Sequence, residues 1–175
     1  MIYRDRNNII MQHPLDKNSG GDSARSCGMM ALFGSPTDQP ALPLFETPYK
    51  SGLLCRHPDF YDDSCFTRDQ LLCFIAGAWR WANIGLCKRV FWSHAKRGFF
   101  CQNYRSQFTR VNKGFFGRDP LSPSHIGHLI ICAQIKWLYP FLFIAYPWVI
   151  LDIIYHAKVT PREEPNQLIA CLLYT

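Results

Sequence analysis

Residues 65–83 read CFTRDQLLCFIAGAWRWAN, and this stretch decides the fold class. Thr67 is an N-cap residue and Gln70 follows it at the capping-box spacing, where each side chain can reach the other's backbone N–H. Phe66 before the cap and Leu71 after it have the spacing of a hydrophobic staple. Leu71, Phe74, Ile75, Ala78, Trp79 and Ala82 then recur at i, i+3, i+4, the period of one helix face. Cap, staple and period agree, so the stretch predicts an amphipathic helix from Arg68.

Working outward, a second helix is expected from Gly85 to Arg97. Leu86, Val90 and Phe91 face inward with His94 beside them, and Gly98 is suited to the left-handed position after a helix. The short link Asn83-Ile84-Gly85 makes the two an αα-hairpin. Upstream, GGDSAR lets Asp22 or Ser23 cap a helix over Ala24 to Phe33, ended by Gly34, with Gly28 marking a close packing contact. Downstream, Ser122 as N-cap and Pro123 in the first helical position open a helix running through Leu129 and Ile130 to Trp137, broken at Pro140. A last helix is expected from near Pro165 to Leu172. The expected class is mainly α: five or six helices, irregularly packed, with little or no sheet.

Residues 1–21 read as an irregular arm, rich in turn formers. Residues 22–175 read as a single helical domain. Within it, 35–66 is a proline-rich and then acidic loop region: Pro36, Pro40, Pro43 and Pro48 break regular structure, so Ser35 to Leu54 reads as an extended linker over the surface or as a loop. Aromatic residues make up 15% of the chain, which favours large buried faces over disorder.

Charge is unevenly placed. Residues 1–69 carry seven Lys/Arg against nine Asp/Glu, and residues 70–175 carry twelve against four. The second part therefore holds all of the basic excess and suits an anionic partner. The eight cysteines form no C-x-x-C pair, which removes the usual zinc and redox spacings. The opening MIYRDRNNII is charged where a secretory signal is apolar. The expectation is a cytoplasmic, reduced protein, not secreted, with membrane association as an open alternative.

That alternative rests on Trp137 to Leu151, a charge-free run of fifteen residues between Lys136 and Asp152. A spanning helix needs about twenty apolar residues, and Pro140 and Pro147 interrupt this one. The run is expected to be protein-buried, as two short helical pieces. Residues 88–118 hold eight Lys/Arg, no acid and interleaved aromatics, a composition able to track single-stranded nucleic acid. No recognition motif accompanies it, so a solvated basic face is favoured and nucleic acid is disfavoured.

Three polar segments could carry chemistry. GGDSAR sets Asp22, Ser23 and Arg25 at a helix start, where free N–H groups can hold an anion. RHPDFYDD gathers Arg56, His57, Asp59, Asp62 and Asp63, the residue types of acid–base work or of divalent-metal binding. Arg68 and Asp69 occupy the first turn of the capped helix. His125 and His128 share a helical face without an identifiable third ligand. No nucleotide loop, zinc-protease motif or nucleophile elbow is present.

Together, Gly20-Gly21-Asp22-Ser23-Ala24-Arg25 with Gly28, Arg56-His57-Pro58 and Thr67-Arg68-Asp69-Gln70 resemble a motif series in a group of bacterial proteins of uncharacterised activity. The resemblance covers the first half of the chain and implies no reaction. It implies a longer protein of which this chain is a shortened member, and by analogy a fragment of an α/α-toroid-like fold, a class that often acts on glycans. It also directs attention to the three segments as one pocket. Asp22, His57 and Asp69 are the expected catalytic groups, and Arg25, Arg56 and Arg68 the expected ligand-binding groups. Neither a metal nor a cofactor is assigned. The expected partner is an anionic ligand or an anionic membrane surface.

Overall fold

A computed structural model describes residues 3–11, 23–34, 42–59, 66–100, 120–147 and 150–151. The chain is mainly helical. Among the described residues the α-helices are α1 (Ser23–Phe33), α2 (Arg68–Arg80), α3 (Ile84–Lys96) and α4 (Pro123–Cys132). Short 3-10 helices cover Leu42–Phe45 and Lys136–Phe141, and 142–147 is again helical. The expected last helix lies outside the described residues.

The α2 start forms as its sequence dictates. The Thr67 N–H donates to Gln70 Oε1 at 3.3 Å, and Phe66 and Leu71 are both buried. The Phe66 ring meets Phe74 edge to face at 6.3 Å, and Phe74 meets Phe45 at 5.6 Å. These rings carry the centre of the core.

Helices α1 and α2 form the most closely packed pair. A Cβ placed on Gly28 would lie 2.5 Å from the Cys73 carbonyl carbon, and one on Gly77 would lie 2.5 Å from the Gly28 carbonyl oxygen. Only glycine permits backbones this close. The register runs one way: Gly28 faces Cys73 and Gly77, and Ala31 faces Gly77 and then Trp81, whose indole N–H donates to the Ala31 carbonyl. The two helices are therefore parallel, and their N-termini stand at the same end.

α2 turns into α3 through Ala82, at φ 57°. The Asn83 N–H reaches the Ala78 carbonyl and the Ala82 N–H the Trp79 carbonyl, which closes the helix end with a Schellman pair. α3 ends the same way at Gly98, as expected. It then pairs antiparallel with α4. The Leu121 N–H donates to the Phe99 carbonyl at one end, and Cys87 is close enough to act electrostatically on Cys132 at the other.

Three expectations need correction. The segment read as an irregular arm contains an antiparallel hairpin, β1 (Tyr3–Arg4) with β2 (Ile10–Met11), and its Ile9 is fully buried. The Asp5 carboxylate makes this turn by accepting the Asn7 and Ile9 N–H groups at 2.8 Å each. The proline-rich stretch is not a surface linker in its described part. Leu42, Phe45, Leu53 and Leu54 between its turns are core residues, and Glu46 fastens it to α3 through a two-pronged ion pair with Arg89.

The third correction concerns the apolar run. α4 stops at Cys132 rather than Trp137, because Gln134 turns left-handed at φ 53°. Short helical pieces follow, as expected, and no helix among the described residues is long and apolar enough to cross a membrane. The run is nevertheless not buried: Trp137 is 69% and Phe143 84% exposed, and Ile144, Tyr146, Ile150 and Leu151 are exposed with them. Only Ala145 is buried among the residues described between 137 and 151, against Gly127 of α4.

Candidate functional site

Polar groups collect at the end of the fold where α1 and α2 begin. The hairpin lies on this half of α1, since the Ile10 N–H reaches Cys27 Sγ at 3.4 Å. Asp5, at the hairpin turn, faces the loop that follows Cys55. His57 there is 0% exposed, and its Nε2 lies 3.3 Å from Asp5 Oδ2. The Asp59 N–H donates to His57 Nδ1 at 3.1 Å. Nδ1 is thereby an acceptor, so the neutral ring carries its proton on Nε2, toward Asp5. At 3.3 Å, with poor alignment, this is an electrostatic pairing and not a short charge-assisted hydrogen bond.

One ligand atom each from Asp5, His57 and Asp59 lie within 4.8 Å of one another, a spacing that a cation could bridge. The tautomer weighs against it. The Nδ1 lone pair accepts the Asp59 amide and Nε2 carries hydrogen, so neither ring nitrogen offers a lone pair to a metal. For the same reason His57 is not poised as a general base. The geometry makes it an anchor joining the hairpin to the loop.

Ser23, at the first position of α1, is 1% exposed, and its hydroxyl has no hydrogen-bond partner among the described residues. A buried hydroxyl without a partner is costly, and a bound polar group would relieve that cost. Arg25 is half-buried in the same turn. The parallel register brings Arg68, exposed at the first position of α2, to this end, with Asp69 next in the helix. Arg56 is half-buried beside His57. Asp22 lies outside the described residues.

The structure thus brings the starts of α1 and α2 together and sets His57 against Asp5. Asp5 was missed by sequence reasoning because it stands in a segment that reads as turn. The signal available was Ile9-Ile10-Met11, an apolar trio inside a polar arm. Cys27, which the hairpin covers, is no nucleophile. Burial raises its thiol to about 12, the Ile10 hydrogen bond opposes that, and Asp5 adds to it.

Compared with protein-family profiles, curated proteins and solved structures, the chain matches none.

Proposed function

We propose that this chain is a ligand-binding helical domain whose site, at the paired N-termini of α1 and α2, takes an anionic group such as a phosphate or carboxylate of a small molecule. The observation that carries this reading is the parallel register of α1 and α2 around Gly28 and Gly77. Each helix N-terminus presents unpaired N–H groups and the equivalent of about half a positive charge. Two such ends side by side repel each other, and an anion between them is stabilising. The buried hydroxyl of Ser23 supports the reading from a second direction.

Arg25 and Arg68 are the cations that hold the anion, and Arg56 extends the site toward the His57 loop. Asp22, outside the described residues, and Asp69 are the carboxylates that the sequence sets at these helix starts. If the ligand is turned over chemically, these carboxylates are the groups to carry protons, since His57 is committed to Asp5 and to the Asp59 amide.

Thermal unfolding with rising inorganic phosphate, at constant ionic strength maintained with chloride, tests this. Saturable stabilisation is expected, weakened several-fold in Arg68→Ala and in Ser23→Ala. A shift that never saturates, or one that both variants share unchanged, would show a general salt effect and defeat the reading.

A further inference from the structure

We infer that the apolar face formed by the described residues of 137–147 and 150–151 docks on the surface of an anionic lipid bilayer, lying in the interface and not crossing it. The face is built to protrude. After Gln134 reverses the chain, the segment is tied down through Ala145 and Leu142, which pack on Gly127 of α4. Leu138 and Phe141 also pack against the core, and around these contacts Trp137, Phe143, Ile144, Tyr146, Ile150 and Leu151 all stand exposed. So many large apolar side chains in one short stretch exceed the isolated exposed residues usual on a protein surface.

Composition and charge identify the occupant. Trp137, Tyr139 and Tyr146 are the residue types that settle at the level of lipid headgroups, with Phe143, Ile144, Ile150 and Leu151 as the acyl-facing partners. No helix among the described residues is long and apolar enough to cross a membrane, and the face lies in the interface. The described stretch 120–147 contains no Asp or Glu, and Lys136 is exposed beside Trp137. The antiparallel packing of α3 on α4 sets Cys87 near Cys132, so exposed Lys88 stands at the end of α4 from which the segment departs. Lys136 and Lys88 are thus the charges described beside the face, Asp152 follows Leu151 in the sequence, and residues 70–175 as a whole hold twelve Lys/Arg against four Asp/Glu. A protein partner needs no such field, whereas an anionic leaflet is drawn by it.

The purified chain is mixed with sucrose-loaded vesicles of phosphatidylcholine, with or without phosphatidylserine at about a third of the lipid, and sedimented. Binding is expected with phosphatidylserine vesicles and to weaken with added salt. Phe143→Ser with Ile144→Ser is expected to reduce that binding at least about tenfold, since two inserting side chains are lost. Both residues are exposed, so circular dichroism should be unchanged. Should the double variant not fold, Phe143→Ala decides, with a smaller loss expected. No sedimentation, equal binding to neutral vesicles, or full binding by the variant overturns the proposal. So does a wild-type dimer in sedimentation velocity that the double variant abolishes without vesicle binding by the wild type, since a second copy would then cover the face. None of these outcomes bears on the phosphate titration, so the two readings stand or fall separately.

Discussion

His57 Nε2 lies 3.3 Å from Asp5 Oδ2, and this pair ties the N-terminal hairpin to a loop far along the chain. Asp5 is engaged on both oxygens. Oδ1 accepts two turn amides, and Oδ2 faces the imidazole. Asp5→Ala removes the acceptor of both amides and the carboxylate that faces the buried His57 ring, so a loss of about 1–3 kcal/mol is expected in urea unfolding. Asp5→Asn keeps an acceptor for the turn and should lose less. Equal stability of the alanine variant and the wild type would mean that the hairpin is held by Ile9 alone.

Gly28 and Gly77 set the distance between α1 and α2, so their alanine variants should be destabilised although alanine is the better helix former. Backbone would have to move apart, at about 1–3 kcal/mol or more. Gly85 supplies the contrast, because a Cβ there meets only the far end of Arg89, at 3.5 Å. Gly85→Ala should be neutral or stabilising by roughly 0.5–1 kcal/mol. Thermal unfolding of the three variants is the check, and a loss at Gly85 matching that at Gly28 would contradict the close-approach account.

Gln134 occupies the left-handed position after α4, where its N–H reaches the Ile131 carbonyl and the Ile135 N–H reaches the Ile130 carbonyl at 3.2 Å. A residue with a Cβ is strained there by about 1–2 kcal/mol, while glycine is not. Gln134→Gly is therefore expected to stabilise by up to about 1 kcal/mol after glycine's greater chain entropy is counted. An unchanged or lowered urea midpoint would show that Gln134 makes a compensating contact.

The same residue explains what could be read in the sequence. α2 was legible because cap, staple and period all sit within residues 66–82. The end of α3 was legible because Gly98 announces it. The ends of α2 and α4 are made by the same hydrogen-bond pattern at Ala82 and Gln134, which look like ordinary helix residues, so α4 was carried too far. Local sequence also cannot state what packs against a loop. Phe45 and Leu54 read as linker residues between prolines, and Trp137 and Phe143 as core, yet tertiary contacts reversed both. At the candidate site, Arg25 and Arg68 are proposed residues that the helix starts in the sequence suggest. The parallel packing that makes those starts neighbours depends on Gly28 meeting Gly77, a pairing that no single segment reveals.

His94 offers a test of the core by acid. Its ring is buried on α3, with Nδ1 at 2.9 Å from the Val90 carbonyl oxygen. Burial, with some help from the Arg97 charge, pushes it down to about 4, while the Val90 hydrogen bond opposes the shift. In the unfolded chain an ordinary histidine titrates near 6.5. As pH falls below 6.5 the unfolded chain therefore takes up a proton that the folded one refuses, and folding is weakened. The loss accumulates from about 6.5 down to about 4 and then levels off, because below that both states are protonated. The difference of 6.5 − 4 corresponds to on the order of 3 kcal/mol. His94→Asn keeps a donor at the Nδ1 position for the Val90 carbonyl and cannot titrate, so its stability should fall less steeply across that window, whatever its value at pH 7. Urea unfolding of both proteins at several pH values isolates the term, since groups common to the two cancel in the difference. Parallel curves from pH 7 to pH 4.5 would mean that His94 is reached by water in the folded protein and that the α3 face against the core is looser than its burial implies.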